Sequence, residues 1–286
     1  MRFLAIGDVP AADCLGRLLT LDLTDYAFLL QAGDMSGIPD GWRIGRARAL
    51  NDTGFIPAGK DPKEYYGKLL RPSVDKLQQV DRWFEKIGRQ IRVLAVYGNT
   101  DFVSVVEQAR PKNIDIIHKR VVQMGEVSVV GYNGHAMYPW EIENPHRRDI
   151  FGYTFEETAR ELNSFREEDI YSDLTKLTAG IDRRRAVVLT HTPPYGILDK
   201  VKPELVQWAV ASYGEKAKTG NVGSVGLQKF ITEYRPLLAI FGHIHESRGT
   251  EVIDGTTCVN VGAFDQEVLE VEIAGTAVNS RFRRIG

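Results

Sequence analysis

The chain has 286 residues, 43% of them hydrophobic and 26% charged, with a net charge of −2. That composition excludes a disordered chain, and the weak net charge excludes a strong field for nucleic acid or anionic lipid. The length allows one large α/β domain or two small ones. Of the two cysteines, Cys14 and Cys258, the second lies in an apolar run and reads as a core thiol; with no CxxC pair, the usage suits a reducing compartment. The start, Arg2-Phe3-Leu4-Ala5-Ile6-Gly7-Asp8, is too short for a signal-peptide core and ends in a charge. No apolar run approaches the ~20 residues of a membrane span, so a cytoplasmic protein is expected.

In chain order, strands are predicted over 3–6 and 26–31, both short, apolar and rich in β-formers. A connection rich in Gly and Pro follows from Met35 to Pro72, with a short helix at 43–50. Trp42, Tyr65 and Tyr66 fall within it and are read as core filling rather than as a substrate or dimer contact. Leu77, Val80, Phe84 and Ile87 share one face of a helix that Gly88 stops. Strands follow over 91–97 and 127–132, then a second long connection from Gly131 to Tyr153. Thr154 and Glu157 form a capping box ahead of a charged helix running towards Leu177. After a strand over 186–190, Ser224 caps a helix carrying Leu227, Phe230, Ile231 and Tyr234. Strands over 237–241, 258–261 and 268–273 end the chain, with hairpin turns at Asp254-Gly255 and Ala274-Gly275. Arg281, Arg283 and Arg284 read as a solvated strand terminus. Most of the strands are apolar throughout, as strands covered on both faces are. The early βαβ alternation argues for a layered α/β fold, and nothing in the composition marks a linker, so residues 1–286 are read as one domain.

Five of these strands end in potential metal ligands: Gly7-Asp8, Gly33-Asp34, Gly98-Asn99-Thr100-Asp101, His191-Thr192-Pro193-Pro194 and Gly242-His243-Ile244-His245. In α/β sheets ligands bind beyond the carboxyl ends of strands, so these side chains converge. Residues at i and i+2 of an extended segment face one side, which turns His243 and His245 to one cavity. Mixed imidazole and carboxylate ligands suit zinc, manganese or iron. Taken singly, Asp8 and Asp34 would be helix caps, Asn99 a turn former and His191 a strand end; jointly they point to a metal site.

The order GD, GD, GN-x-D, H-x-P-P, GH-x-H resembles the calcineurin-like metallophosphoesterase superfamily. The strings His191-Thr192-Pro193-Pro194-Tyr195-Gly196, Val222-Gly223-Ser224 and Gly242-His243-Ile244-His245-Glu246-Ser247, with Val259-Asn260-Val261-Gly262, are similar to its small Icc-related branch. The resemblance implies a four-layer αββα sandwich, two mixed β-sheets flanked by helices. It implies two divalent metal ions (Mn, Fe or Zn), one held by Asp8 and His245 and the other by Asn99, His191 and His243, with Asp34 bridging. It implies attack of a metal-bridging hydroxide on a small phosphomonoester or phosphodiester, with Asp34, Asn99 and His191 as catalytic residues.

Two positions depart from the family. Its first motif is D-x-H, but here Pro10 follows Asp8-Val9, so the first site loses an imidazole and is expected to be weak unless a group such as Asp13 completes it. Many members carry GNH[DE], whereas Thr100 stands here, which removes general-acid help typically worth about 10²–10⁴-fold. These losses motivate a second reading, a non-catalytic protein-interaction scaffold with a degenerate metal site; oligomerisation stays open. His135, in Asn133-Gly134-His135, is a candidate for the missing imidazole or a substrate contact. Ser224 opens a helix whose amides are a candidate phosphate site beside Asn99 and Thr100. The bland readings are a loop histidine and an ordinary cap.

Overall fold

A computed structural model describes residues 1–37 and 56–286, with Ile44, Arg48 and Gly54 between them and the backbone alone of Trp140. Apart from Ile44 and Arg48, the short helix expected at 43–50 lies outside the described residues, as does Trp42. Strand β1 (Arg2–Ile6) leads through a 3₁₀ segment, Ala12–Thr20, to β2 (Phe28–Gln31). Helix α1 (Pro62–Gly88) precedes β3 (Arg92–Ala95), and α2 (Val103–Ala109) precedes β4 (Asp115–Ile116). The hairpin β5 (Arg120–Met124) and β6 (Val127–Tyr132) is followed by β7 (His135–Ala136), α3 (Pro139–Glu143), α4 (Phe155–Glu161), β8 (Ser164–Phe165) and α5 (Glu167–Leu177). Then come β9 (Ala186–Thr190), α6 (Val206–Tyr213), α7 (Val225–Tyr234) and β10 (Leu238–Phe241). Two hairpins end the chain, β11 (Gly249–Ile253) with β12 (Thr256–Asn260) and β13 (Glu267–Ala274) with β14 (Ala277–Arg284).

Twelve of the strands form two mixed six-stranded sheets, ordered β14-β13-β1-β2-β3-β4 and β11-β12-β10-β9-β6-β5, and β7 pairs with β8. Alternation along each strand explains the layering, because successive side chains point to opposite faces. Phe3 and Ala5 of β1 face Val187, Leu189, Ile240 and Val259 of the second sheet, in the core between the sheets. Leu4 and Ile6 face outward, against Leu77, Val80 and Phe84 of α1 and Leu15 and Leu18 of the 3₁₀ segment. On the far side, Val188, Ala239 and Phe241 pack on Ile170 and Leu174 of α5 and on Leu227, Phe230 and Ile231 of α7. Each fully buried Leu, Ile or Phe contributes about 1.5–3 kcal/mol. The result is the four-layer αββα sandwich expected. No helix among the described residues is long and apolar enough to cross a membrane.

Three local expectations need correcting. The connection after β2 ends at Asp61, not Pro72: Asp61 caps α1 by accepting from Glu64 N at 2.8 Å, and Pro72 lies inside the helix. A proline there removes one helical hydrogen bond, at about 3 kcal/mol. Tyr66 and Leu70 before it and Val74 and Leu77 after it are buried, which holds the helix through the interruption. The helix expected from Thr154 towards Leu177 is two helices, parted at Asn163 with φ 52°. Asn163 Nδ2 donates to the Asp101 carbonyl at 2.9 Å, so the break ties this segment to the loop after β3.

Nor is the basic end merely solvated. Glu270 of β13 pairs in register with Arg281 of β14, and its carboxylate accepts from Arg281 Nε and Arg283 Nη1, each at 2.8 Å, and from the Tyr26 hydroxyl. Burial pushes the Glu270 carboxyl up, but the bonds from Tyr26, Arg283 and Arg281 outweigh it and hold the group at about 2, against 4.5 ordinarily. A folded-state pKa below the unfolded one gives stability that is present above about pH 4.5 and lost as pH falls through about 2. Glu270→Gln should therefore lower stability near neutrality by about 1–2 kcal/mol, kept small because both arginines are substantially exposed. Urea unfolding across pH reads this out: the gap to wild type should close towards pH 2, and a gap independent of pH would refute the assignment.

Candidate metal centre

Strands β1, β2 and β3 run parallel in the first sheet, and β9 and β10 run parallel in the second. Their carboxyl ends reach one edge of the sandwich, where the five motifs exit. Gln31 fastens two of the exits: its Nε2 donates to Gly33 O at 2.6 Å and to Gly7 O at 3.1 Å, and its Oε1 accepts from Gly33 N at 2.9 Å. Asp34 (φ 53°) and His243 (φ 68°) both occupy the left-handed region, which costs a non-glycine residue about 1–3 kcal/mol and clusters at functional sites. Thr100 N donates to Asp34 Oδ1 at 2.9 Å. A Cβ on Gly98 would lie 2.0 Å from the same oxygen, so only glycine lets that loop close on the carboxylate.

His191, fully buried, is the hub. Its Nδ1 lies 2.8 Å from the Ala32 carbonyl, which can only accept, so this nitrogen carries a proton. In the neutral ring Nε2 is then a bare lone pair. It faces Asn99 Oδ1 at 2.9 Å, His243 Nδ1 at 3.1 Å and Asp34 Oδ2 at 3.5 Å. Lone pairs converging in a buried space repel unless a proton or a cation lies among them. Burial disfavours charge on His191, yet the carboxylates of Asp34 and Asp8 outweigh it and set its pKa above the ordinary imidazole value. Burial also raises Asp34, to about 6. One donor atom each from Asp34, His191 and His243 lies within 4.8 Å of the others. Two imidazoles and a carboxylate, one imidazole tied to a backbone carbonyl, suit a divalent transition metal.

Asp8 and His245 form a separate pair beside this cluster. His245 Nε2 is 2.6 Å from Asp8 Oδ2, and that bond raises His245 to about 9. Asp8 Oδ1 lies 4.0 Å from His191 Nδ1, and His243 N donates to it at 3.4 Å. The candidate stand-ins for the missing imidazole are turned elsewhere. Pro10 is exposed, and Asp13 accepts from Trp83 Nε1 at 3.4 Å on the face of α1. His135 is a buried residue of β7, not a loop histidine: its Nδ1 lies 2.7 Å from Ala136 O and its Nε2 lies 3.1 Å from Ser164 Oγ. Lys76 of α1 instead brings an ammonium group to Val9 O, where it feels the carboxylates of Asp101, Asp34 and Asp8; burial pulls its pKa down.

The other singled-out residues have settled partners. Ser224 caps α7, accepting from Leu227 N at 3.0 Å and donating to Glu167 Oε2 at 2.5 Å. That same carboxylate oxygen accepts from Gly226 N at 2.9 Å. An acidic side chain thus occupies the helix start proposed for a phosphate. Thr100 meets Asp34 through its backbone. His118 is a half-buried ring between Tyr132 and Phe165, its pKa lowered to about 4 by burial. Three more residues shape the centre, and of these only Asp101, which closes the GN-x-D motif, carries a signal in the sequence. Asp101 accepts from Ser36 N at 2.7 Å and Gly98 N at 2.9 Å and shapes the loop; Asn163 buttresses it; Tyr213 Oη lies 3.0 Å from His243 Nε2.

A family model for calcineurin-like phosphoesterases matches residues 1–247. No curated protein matches. Similar solved structures include the sulfate thiohydrolase SoxB of Thermus thermophilus, at 14% identity and TM-score 0.46 over 96% of this chain and 42% of SoxB, so the chain spans less than half of that protein. They also include phosphopantetheinyl hydrolase of Mycobacterium tuberculosis, at 12% identity and TM-score 0.42 over 91% of this chain and 88% of that one. A Streptococcus pneumoniae protein described as a predicted phosphoesterase gives 10% identity and TM-score 0.39 over 99% and 88%. The likenesses to these three are too distant to assign a substrate. The family match covers most of the sequence and includes all five strand-end motifs, and the chain belongs to the calcineurin-like phosphoesterase family, hydrolases of phosphoester bonds.

Proposed function

We propose that this phosphoesterase hydrolyses small-molecule phosphomonoesters or phosphodiesters with two divalent metal ions, manganese, iron or zinc. Asn99, His191 and His243 would hold the tighter ion and Asp8 and His245 the weaker, with Asp34 serving both. The observation that carries this reading is the convergence of potential ligand atoms from Asp34, Asn99, His191 and His243 in one partly buried space. When bound, such ions acidify water and draw charge from phosphoryl oxygens.

The chain's own residues do the positioning. The Ala32 carbonyl fixes the His191 tautomer, and Thr100 N and the Gly98 backbone hold the Asp34 carboxylate. The Asn99 side chain, whose Oδ1 lies 2.9 Å from His191 Nε2, would steady a phosphoryl oxygen. No imidazole stands at Thr100 to protonate the leaving group, so esters of acidic alcohols should react best. The reading takes the chain as one domain, because β13 and β14, beyond the matched residues, complete the first sheet through β1. A cytoplasmic location is proposed on two unpaired cysteines. Hydrolysis of bis-p-nitrophenyl phosphate and p-nitrophenyl phosphate under Mn²⁺ tests the activity. Turnover of at least one ester, stopped by a chelator, is expected. No turnover of either would overturn the proposal and favour the scaffold reading.

A further inference from the structure

His243 is held on three sides. Its Nδ1 meets His191 Nε2 at 3.1 Å, its Nε2 meets Tyr213 Oη at 3.0 Å, and its ring lies parallel to that of His135, 5° apart in plane with centroids separated by 6.3 Å. Tyr213 is the last residue of α6, 5% exposed, in a small apolar cluster with Val201, Ala209, Ala217, Val222 and Ile244. The Tyr138 ring packs edge-on against it at 5.1 Å. A neutral imidazole that offers Nδ1 as a lone pair must carry its proton on Nε2. In a buried pocket that proton needs an acceptor, and Tyr213 Oη stands at the required place.

We propose that Tyr213 is a positioning residue for the metal centre, fixing the ring and tautomer of His243 so that Nδ1 points into the cluster. Tyr138 supports it by packing edge-on against the Tyr213 ring. The inference rests on the two-metal reading given above. The phenol takes the role that a carboxylate or backbone carbonyl fills beside most metal-binding histidines, where loss of the partner typically lowers metal affinity about 10–100-fold. It comes from the segment between β9 and α7, which thereby contributes to the centre.

Tyr213→Phe keeps the ring in its apolar cluster and removes only the hydroxyl. Tyr195→Phe is the control: its hydroxyl donates to Lys216 O at 3.0 Å in the same segment, away from His243. Calorimetric titration of chelator-stripped protein with Mn²⁺ alone should show the tight site weakened about 10–100-fold in Tyr213→Phe and unchanged in Tyr195→Phe. A merely structural bond would lower the melting temperature of stripped and loaded protein alike and leave the affinity unmoved. Nitrogen-15 shifts of protein loaded with diamagnetic Zn²⁺ should place the His243 proton on Nε2. Affinity within twofold of wild type in Tyr213→Phe, or equal losses in both variants, overturns the inference while the metal reading stands. A wild type that binds no Mn²⁺ overturns both.

Discussion

Asp34→Ala and His243→Ala should each lower kcat/KM on an aryl phosphodiester by at least about 10²–10³-fold, the scale on which one lost electrostatic element of a preorganised site is felt. Each side chain enters the same cluster, so the losses should not add: the double variant should be little worse than either single one. Both positions have positive φ, which alanine tolerates poorly, so a loss of folding would confound the result. Asparagine adopts that conformation more readily, and Asp34→Asn keeps an oxygen for the Thr100 N–H. Asp34→Asn should therefore fold as well as wild type and still lose turnover. Stripped of metal it should be at least as stable as wild type near neutrality, because burial already disfavours the Asp34 charge. Thermal melts alongside steady-state rates separate the two effects. Full activity in well-folded Asp34→Asn or His243→Ala would sink the assignment.

Pro10→His should tighten the weaker site. Asp8 and His245 pair with each other, and the imidazole nitrogen 4.0 Å from Asp8, His191 Nδ1, is turned to the Ala32 carbonyl and offers no lone pair. Pro10 is exposed, so losing its ring opens no cavity. The backbone around it is held independently: Val9 N donates to Asp34 O at 3.1 Å, and Lys76 reaches Val9 O. A histidine there would add an imidazole beside Asp8 and should raise affinity for the second Mn²⁺ by about tenfold or more, roughly 1.4 kcal/mol. The Mn²⁺ concentration giving half-maximal hydrolysis should fall in step. An unchanged second affinity would show that Pro10 does not face the site and that its weakness has another cause. The Lys76 ammonium is the group to examine then, since it already brings positive charge towards Asp8 and Asp34.

The parts of the fold legible in the sequence are those where physics leaves one solution. Strands β6 and β9, apolar on both faces, were bounded to the residue, and the turns at Asp254-Gly255 and Gly275 follow from positive φ at those positions. Edge strands were harder. Strand β14 alternates exposed and half-buried residues and carries three arginines, so its pattern resembles a solvated tail until Glu270 is seen opposite Arg281. Pro72 and Asn163 misled in opposite directions. A proline inside α1 reads locally as a helix end, whereas Asn163 sits in a charged stretch that reads as continuous helix.

The candidate site divides in the same way. Asp8, Asp34, Asn99, His191 and His243 were legible because each stands at a strand end next to a glycine or in a short motif, and parallel strands of two sheets bring those ends to one edge. Tyr213 was not. It lies 30 residues before His243, in a short helix with no motif, and only tertiary packing places its hydroxyl on the imidazole. Ser224 shows the converse: its motif was legible, but Glu167, 57 residues away, occupies the helix start that an anion would need.

Metal ions bound per chain, counted after equilibration with graded Mn²⁺, test the central claim most directly. The account predicts one ion retained at low concentration and a second taken up only in excess, with the first lost in Asp34→Asn. A chain that binds no ion in excess Mn²⁺ would contradict it, and would leave a phosphoesterase fold whose site holds its charges for some purpose other than hydrolysis.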